Sequence, residues 1–255
     1  MNVNDKTIVV VGAGGRLGSE IVTTLLQSGA NVLAIDANEQ ALSDLLSLHS
    51  QSDQFVSMLG DITRIESVQK IIDKAEKSFG GFDGAVNTAY PRNNNYGRPF
   101  FDVTYEDFCE NLSIHLGGYF LFMQQCAKYA TQSNMPFSLV NMSSVYGVIA
   151  PRFNIYTDTK MTMPVEYAAI KSALQHLSAY ATAYTKGTQF RVNCVSPGGI
   201  LSGQDQSFLE KYNEYCRSKG MLDAKNITGA VLFLLSDSSQ YVCGQNIVVD
   251  DGFSV

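Results

Sequence analysis

Nowhere does this chain of 255 residues run apolar for the roughly 18 positions that a membrane span requires. The opening residues, MNVNDK, pass straight into a strand-like run, which argues against a signal peptide. Charged residues are scarce at 16%, the formal net charge is −6, and no stretch is rich in Lys or Arg. That balance argues against nucleic acid as a partner. A small anionic cofactor stays compatible, because helix N-termini and single arginines hold anions without an overall positive charge. The five cysteines, at 109, 126, 194, 216 and 243, are scattered, odd in number and form no C-x-x-C pair. They predict reduced thiols in a soluble, cytoplasmic protein, not a disulfide frame. His49, His115 and His176 lie far apart with no neighbouring Cys/His/Glu pattern, so no metal site is expected. Linkers, repeats and low-complexity tracts are also lacking.

What is present is a large apolar fraction, 45% of residues, enough for a substantial core. Short β-branched runs at 7–11, 31–35, 55–59, 84–87, 138–141, 191–195 and 246–249 alternate with helical patterns near 17–28, 39–48, 64–79, 104–133, 164–186 and 223–235. Runs such as Ile8-Val9-Val10-Val11 are apolar at consecutive positions, as expected of parallel strands covered on both faces. The alternation predicts a single α/β domain over 1–255, a Rossmann-like doubly wound sheet of seven mostly parallel strands. Its cofactor-binding half would cover about 1–135, and its catalytic and substrate half about 136–255. Three irregular segments, 90–103, 145–163 and 198–222, each follow a predicted strand. They are expected to converge where such sheets bind ligands, beyond the strand C-termini.

The glycine-rich string Gly12-Ala13-Gly14-Gly15-Arg16-Leu17-Gly18 links the first strand to the first helix. Glycines there permit a tight turn and let backbone N–H groups approach a pyrophosphate. Asp36 ends the second strand, where a carboxylate can accept both ribose hydroxyls of NAD and repel the extra phosphate of NADP. NAD is therefore the expected cofactor, with NADP the alternative. Tyr167 and Lys171 are four apart and so share one helix face. The ammonium is expected to lower the phenol from its free value of about 10 toward neutrality. A phenol so tuned exchanges a proton with a carbinol while hydride moves elsewhere.

With these motifs in order, the chain resembles the short-chain dehydrogenase/reductase family from Lys6 to Gly252. Gly12 and Gly18 match its glycine motif, while Arg16 replaces the middle glycine, a cation where some NADP-dependent members carry one. Asp61-Ile62 matches the pair that holds adenine. Val86-Asn87-Thr88-Ala89-Tyr90 is similar to the family's N-N-A-G signature, with Asn87 and Ala89 kept and Tyr90 in place of the last glycine. Ser196-Pro197-Gly198-Gly199-Ile200 resembles the turn that cradles nicotinamide, and Ser202 sits where relatives often place a threonine. The resemblance implies that Tyr167 is the general acid/base. It makes Lys171 its modulator and a ribose ligand, and Ser144 the donor to the substrate oxygen. Ser143 is the less favoured serine. Two departures stand out. The interval from Ser144 to Tyr167 exceeds the family's usual one, the extra residues falling in 152–164. His115 aligns with the relay asparagine, where it either retains the backbone contribution, joins the relay through its imidazole, or simply packs.

Arg92, Arg98 and Arg152 in the irregular segments suggest a phosphate or carboxylate on the substrate. Tyr90, Tyr146 and Tyr156 offer hydroxyls and flat faces suited to sugars. The stretches 143–153 and 161–167 resemble the flagellin-modification oxidoreductases. This implies an amino-sugar phosphate or nucleotide sugar oxidised or reduced at a secondary carbinol. A 3-oxoacyl thioester reductase using NADPH is the second enzyme reading, and a nicotinamide-binding sensor or scaffold without turnover is the third. Family members assemble through the two long helices, so a homodimer or homotetramer is expected.

Overall fold

A computed structural model describes residues 2–255. Strands β1 (Thr7–Val11), β2 (Asn31–Asp36), β3 (Phe55–Leu59), β4 (Gly84–Asn87), β5 (Phe137–Met142), β6 (Phe190–Pro197) and β7 (Asn246–Val249) form one sheet. The order is β3-β2-β1-β4-β5-β6-β7, and every pairing is parallel. The order reverses between β1 and β4, which places the binding crevice at their C-terminal ends.

The consecutive apolar residues of each strand are explained by helices on both faces. Val9, Val11, Leu33, Ile35 and Leu139 pack against α3 (Ile65–Phe79), α5 (Gly117–Ser133) and α6 (Val165–Tyr184). Their neighbours Ile8, Val10, Val32, Ala34 and Val140 pack against α1 (Arg16–Gln27), α2 (Glu39–His49) and α8 (Lys225–Leu235). A third cluster lies over the sheet's C-terminal edge. There Tyr146, Ile155, Phe208, Tyr212, Met221 and Phe253 join the irregular segments to the chain's C-terminal residues.

Two features depart from the sequence reading. The segment 198–222 contains a helix, α7 (Gln206–Asn213), which buries only Phe208 and Tyr212. Two apolar residues spaced by four are too short a periodic signal to separate from a loop. The long helical run 104–133 is divided. A turn of π-helix (Leu112–Leu116) joins α4 (Tyr105–Asn111) to α5 and carries His115 inward. The backbone stays right-handed helical through the junction, with φ −62° at Asn111 and −60° at Gly117, so the run carries no stop signal and reads as one helix. No helix among the described residues is long and apolar enough to cross a membrane, and all five cysteines are free thiols.

Candidate active site

The glycine string forms a close-packed cradle. Gly12 has φ +73°, and a Cβ there would meet the Ala89 backbone N at 2.7 Å; one on Gly18 would lie 2.1 Å from the Gly12 carbonyl. Gly15 is the N-cap of α1 and offers no side-chain acceptor to the helix's first N–H groups. Those donors point out of the helix toward any anion at this end. The Gly14 N–H donates to Asp36 Oδ2 and the Asn38 N–H to Asp36 Oδ1, each at 2.9 Å. The carboxylate is thereby tied to the glycine turn. Thr88, not singled out from the sequence, closes the junction by donating from its hydroxyl to the Val11 and Gly12 carbonyls at 2.8 and 3.0 Å.

Gly12, Gly14, Gly15, Asp36, Asp61, Ile62 and Ala89 line one cleft beside this turn. Asp61 Oδ1 accepts from both the Thr63 N–H and its hydroxyl, fixing the carboxylate at the cleft's far end. Asn87 is fully buried; its Oδ1 accepts from the Ala89 N–H at 3.1 Å, and its Nδ2 has no acceptor. A buried donor without a partner is costly. Together with the glycine cradle and the uncapped helix, it marks a cleft shaped for an anionic, hydrogen-bonding ligand such as a dinucleotide. Tyr119, another residue missed in the sequence, is wholly buried and places its hydroxyl 3.1 and 3.0 Å from the Asn87 and Ala89 carbonyls. Arg16 is exposed, and Ser202 is exposed outside the cleft with its N–H held by Gln204 Oε1 at 2.7 Å. In its place Gln204 lines the second pocket described below, alongside Pro197, Gly198 and Ile200.

Deeper in, β5 and α6 bring Ser144, Tyr167 and Lys171 together with His115. Gly147 makes the approach possible: a Cβ there would lie 2.7 Å from the Lys171 backbone, so the turn after Ser144 sits flush on α6. Ser143 Oγ donates to the Lys171 carbonyl at 2.8 Å, a structural bond. Ser144 Oγ accepts from the Tyr146 N–H at 3.2 Å and lines the second pocket beside Tyr167. Lys171 Nζ donates to the Met142 carbonyl at 2.8 Å and lies 3.5 Å from His115 Nε2. Three aromatic rings surround it, their centroids 5.0 Å (Tyr119), 5.6 Å (Tyr167) and 6.0 Å (Tyr90) from Nζ.

Burial dominates the electrostatics. It lowers Lys171 to about 7. His115, with no exposed surface, is pushed down to about 2 by burial, with Lys171 and Arg92 adding to the effect. The imidazole is therefore neutral at physiological pH, and its Nδ1 has no partner. The expected lowering of Tyr167 toward neutrality is not found. Burial raises it to about 12, opposed only in part by the Ser144 hydroxyl. An ammonium that bonds elsewhere and is itself reluctant to stay charged cannot offset the phenolate's loss of hydration.

The second pocket, about 280 Å³, has Tyr146, Tyr156, Tyr167 and Tyr212 among its walls, with Met161, Met163 and Met221. No charged side chain lines it. The arginines are used elsewhere. Arg152 does not face the pocket: it donates from Nη2 to the Phe253 carbonyl at 3.0 Å and lies 4.1 Å over the Tyr215 ring. Packing with the C-terminal residues, which no local pattern announces, claims its guanidinium. Arg98 pairs with Asp107 at 3.0 Å. Arg92 is exposed, 5.0 Å over the Tyr90 ring. Tyr90 lines the glycine cleft, bonds its hydroxyl to that of Tyr96 at 2.8 Å, and meets Tyr167 edge-on at 5.7 Å. Segment 152–164 contributes Tyr156, Met161 and Met163 to the pocket wall and anchors itself through the wholly buried Ile155.

Comparison with known proteins agrees with this geometry. The family model described as "Enoyl-(Acyl carrier protein) reductase" matches residues 12–254. The chain is 39% identical to "Post-translational flagellin modification protein A" of Campylobacter coli, over 99% of this chain and 100% of that one. It is 29% identical to a 2,5-dichloro-2,5-cyclohexadiene-1,4-diol dehydrogenase of Sphingobium indicum, over 99% and 98%. A solved short chain dehydrogenase from Leptospira borgpetersenii with bound NAD+ superposes with a TM-score of 0.88. It is 30% identical and covers 100% of this chain and 94% of its own.

Proposed function

The chain belongs to the short-chain dehydrogenase/reductase family of nicotinamide-dependent enzymes acting on CH–OH groups, and from that premise we propose that it is an NAD(H)-dependent oxidoreductase of a small sugar derivative. The reacting group would be a secondary carbinol or its ketone, in an amino-sugar phosphate or nucleotide sugar of surface-glycan biosynthesis. The observation that carries this reading is that Ser144 and Tyr167 line one pocket, with the buried Lys171 Nζ 5.6 Å from the Tyr167 ring centroid, next to a glycine cleft lined by Asp36.

When bound, the dinucleotide supplies the hydride acceptor for oxidation and the donor for reduction. Gly12, Gly14, Gly15, Arg16, Leu17 and Gly18 would hold its pyrophosphate, Asp36 a ribose, and Asp61 with Ile62 the adenine. Asn87, Ala89, Pro197, Gly198 and Ile200 would hold the nicotinamide half, without Ser202, which stands outside the cleft. Tyr167 exchanges the proton of the substrate oxygen, and Ser144 Oγ donates a hydrogen bond to that oxygen as its charge changes. Lys171 would hold the nicotinamide ribose and, when protonated, would favour the phenolate. His115, neutral and 3.5 Å from Lys171 Nζ, offers Nε2 as an acceptor to the ammonium at the position of the family's asparagine.

The relative's name supports the glycan setting, and the tyrosine hydroxyls and rings of the pocket suit a sugar. Of the arginines first associated with a substrate anion, Arg92 alone remains for that role, at the rim beside Tyr90. The second reading, an NADPH-dependent 3-oxoacyl thioester reductase, draws on a 3-oxoacyl-[acyl-carrier-protein] reductase of Thermotoga maritima that is 27% identical and on the exposed Arg16. The outward faces of α5 and α6 expose Phe120, Tyr180 and Tyr184, which supports assembly as a homodimer or homotetramer. The free cysteines favour a reducing compartment, the cytoplasm.

The test is turnover. The protein is offered NAD with a panel of sugar phosphates and nucleotide sugars, and NADPH with 3-oxoacyl thioesters, followed by nicotinamide absorbance. Sugar oxidation that Tyr167→Phe abolishes is the expected result. Thioester reduction with NADPH in its place would overturn the sugar reading. Turnover that survives Tyr167→Phe would remove that residue from the chemistry.

A further inference from the structure

On the outer side of segment 152–164 lies a groove of about 580 Å³, larger than the catalytic pocket. Pro99, Phe100, Phe153, Pro164, Val165 and Ala168 are among its walls. Its one charged side chain, Arg98, is already paired with Asp107. Phe100 and Phe153 stand at the groove with 65% and 64% of their surfaces exposed. Contiguous apolar surface left open around a groove is the kind that marks a binding site.

The groove and the catalytic pocket share three residues, Tyr156, Met161 and Met163. The wall between the two spaces is therefore one side chain thick and consists largely of methionine. Met163 Sδ receives only a bond from the Tyr156 hydroxyl, at 3.5 Å. Unbranched thioether chains change rotamer at little cost and mould themselves around apolar ligands. A substrate held at Ser144 and Tyr167 has little room in 280 Å³ for more than its reacting portion.

We propose that Met161 and Met163 form a movable partition, through which an acyl chain of the substrate passes into the Phe100–Phe153 groove. The inference rests on Tyr167 being the reacting centre. Continuity with that centre selects the occupant: a chain attached to the substrate meets a conduit that is mostly apolar, with Tyr156 and Thr162 its uncharged polar members, and free of unpaired charge. The acyl chain has two possible sources, an N-acyl amino sugar or an acyl thioester.

Two ligand series test this, N-acylglucosamines and 3-oxoacyl N-acetylcysteamine thioesters of increasing chain length. Each is titrated calorimetrically into the NADH-loaded protein, and turnover is followed separately. Affinity should rise roughly three- to fourfold per added methylene, the usual gain for burying one, in the series whose head group fits. Ala168→Phe, which fills the groove, should cancel the rise while leaving the shortest member's affinity unchanged. Phe100→Ser and Phe153→Ser, both at exposed positions, should flatten it at the longer chains.

A flat series in both head groups overturns the proposal, as does a slope that Ala168→Phe leaves intact. Dissociation into smaller oligomers with Phe153→Ser, without change in the slope, would make the groove a subunit contact and also overturn it. A rising slope without turnover would keep the groove and sink the assigned reaction. Turnover lost in Tyr167→Phe with a flat slope would do the reverse.

Discussion

Replacing Asp36 by alanine tests the placement of the cofactor most directly. Its two oxygens accept from the Gly14 and Asn38 N–H groups, each at 2.9 Å, so the carboxylate stands locked to the glycine turn in the cleft wall. Removing it has two separable effects. The Gly14 N–H loses its acceptor and the turn loosens, a loss common to both dinucleotides. The contact with ribose hydroxyls and the repulsion of a 2′-phosphate vanish as well, and these act on NAD and NADP in opposite senses. Hydrogen bonds to a charged group contribute about 1.5–3 kcal/mol, so the ratio of the two dissociation constants should shift by roughly 10- to 150-fold toward NADP. Because the chain contains no tryptophan, the fluorescence of bound NADH and NADPH is best excited directly. Asp36→Asn, which removes the charge with less loss of shape, should show most of the shift. A ratio unchanged within about twofold, well below the effect of one such bond, would refute the ribose assignment even if both affinities fell together.

Two further outcomes follow from burial. Lys171 falls from its ordinary value of 10.5 to about 7 in the folded protein. Between those values the unfolded chain binds the extra proton, so this residue makes stability rise with pH, by up to about 1.4 kcal/mol per unit. Below about 7 both states are protonated and the penalty is at its full size. Urea unfolding without dinucleotide should show a shallower rise in Lys171→Met across pH 7–10; an identical slope would mean that the ammonium is not desolvated. Phe253 is wholly buried, stacked 4.2 Å from Tyr212, whose hydroxyl accepts from the Gly199 N–H at 2.6 Å. Phe253→Ala should cost about 3 kcal/mol in urea unfolding and weaken nicotinamide binding through Gly199; unchanged NADH affinity would separate the C-terminal residues from the site.

The fold was legible because its signals are local. Consecutive apolar residues in 8–11 or 32–35 have few uses other than a strand covered on both faces. A strand, a glycine turn and a helix in succession bring Gly12, Gly18 and Asp36 to one place through short-range geometry. The same holds for Tyr167 and Lys171, four residues apart on α6. The parallel character of the sheet follows from strands that alternate with helices, since each crossover returns the chain to the same end of the sheet; that every pairing is parallel is a finding of the structure.

What only tertiary packing decided is the environment in which those residues act. Desolvation depends on neighbours brought from distant segments. Lys171 lies near the ring of Tyr119 from α5 and bonds the carbonyl of Met142 from β5, and no spacing along the chain foretells a lysine at about 7 or a Tyr167 at about 12. Arg152 reads as a substrate ligand until Phe253 and Tyr215, from the far end of the chain, claim it. Thr88, Gly147 and Tyr119 escaped notice for the same reason: each acts on a partner many residues away. Local order selects the backbone, because turns and periodicity act over a few residues. Charge state and side-chain direction are settled by whatever the finished fold places within a few ångströms.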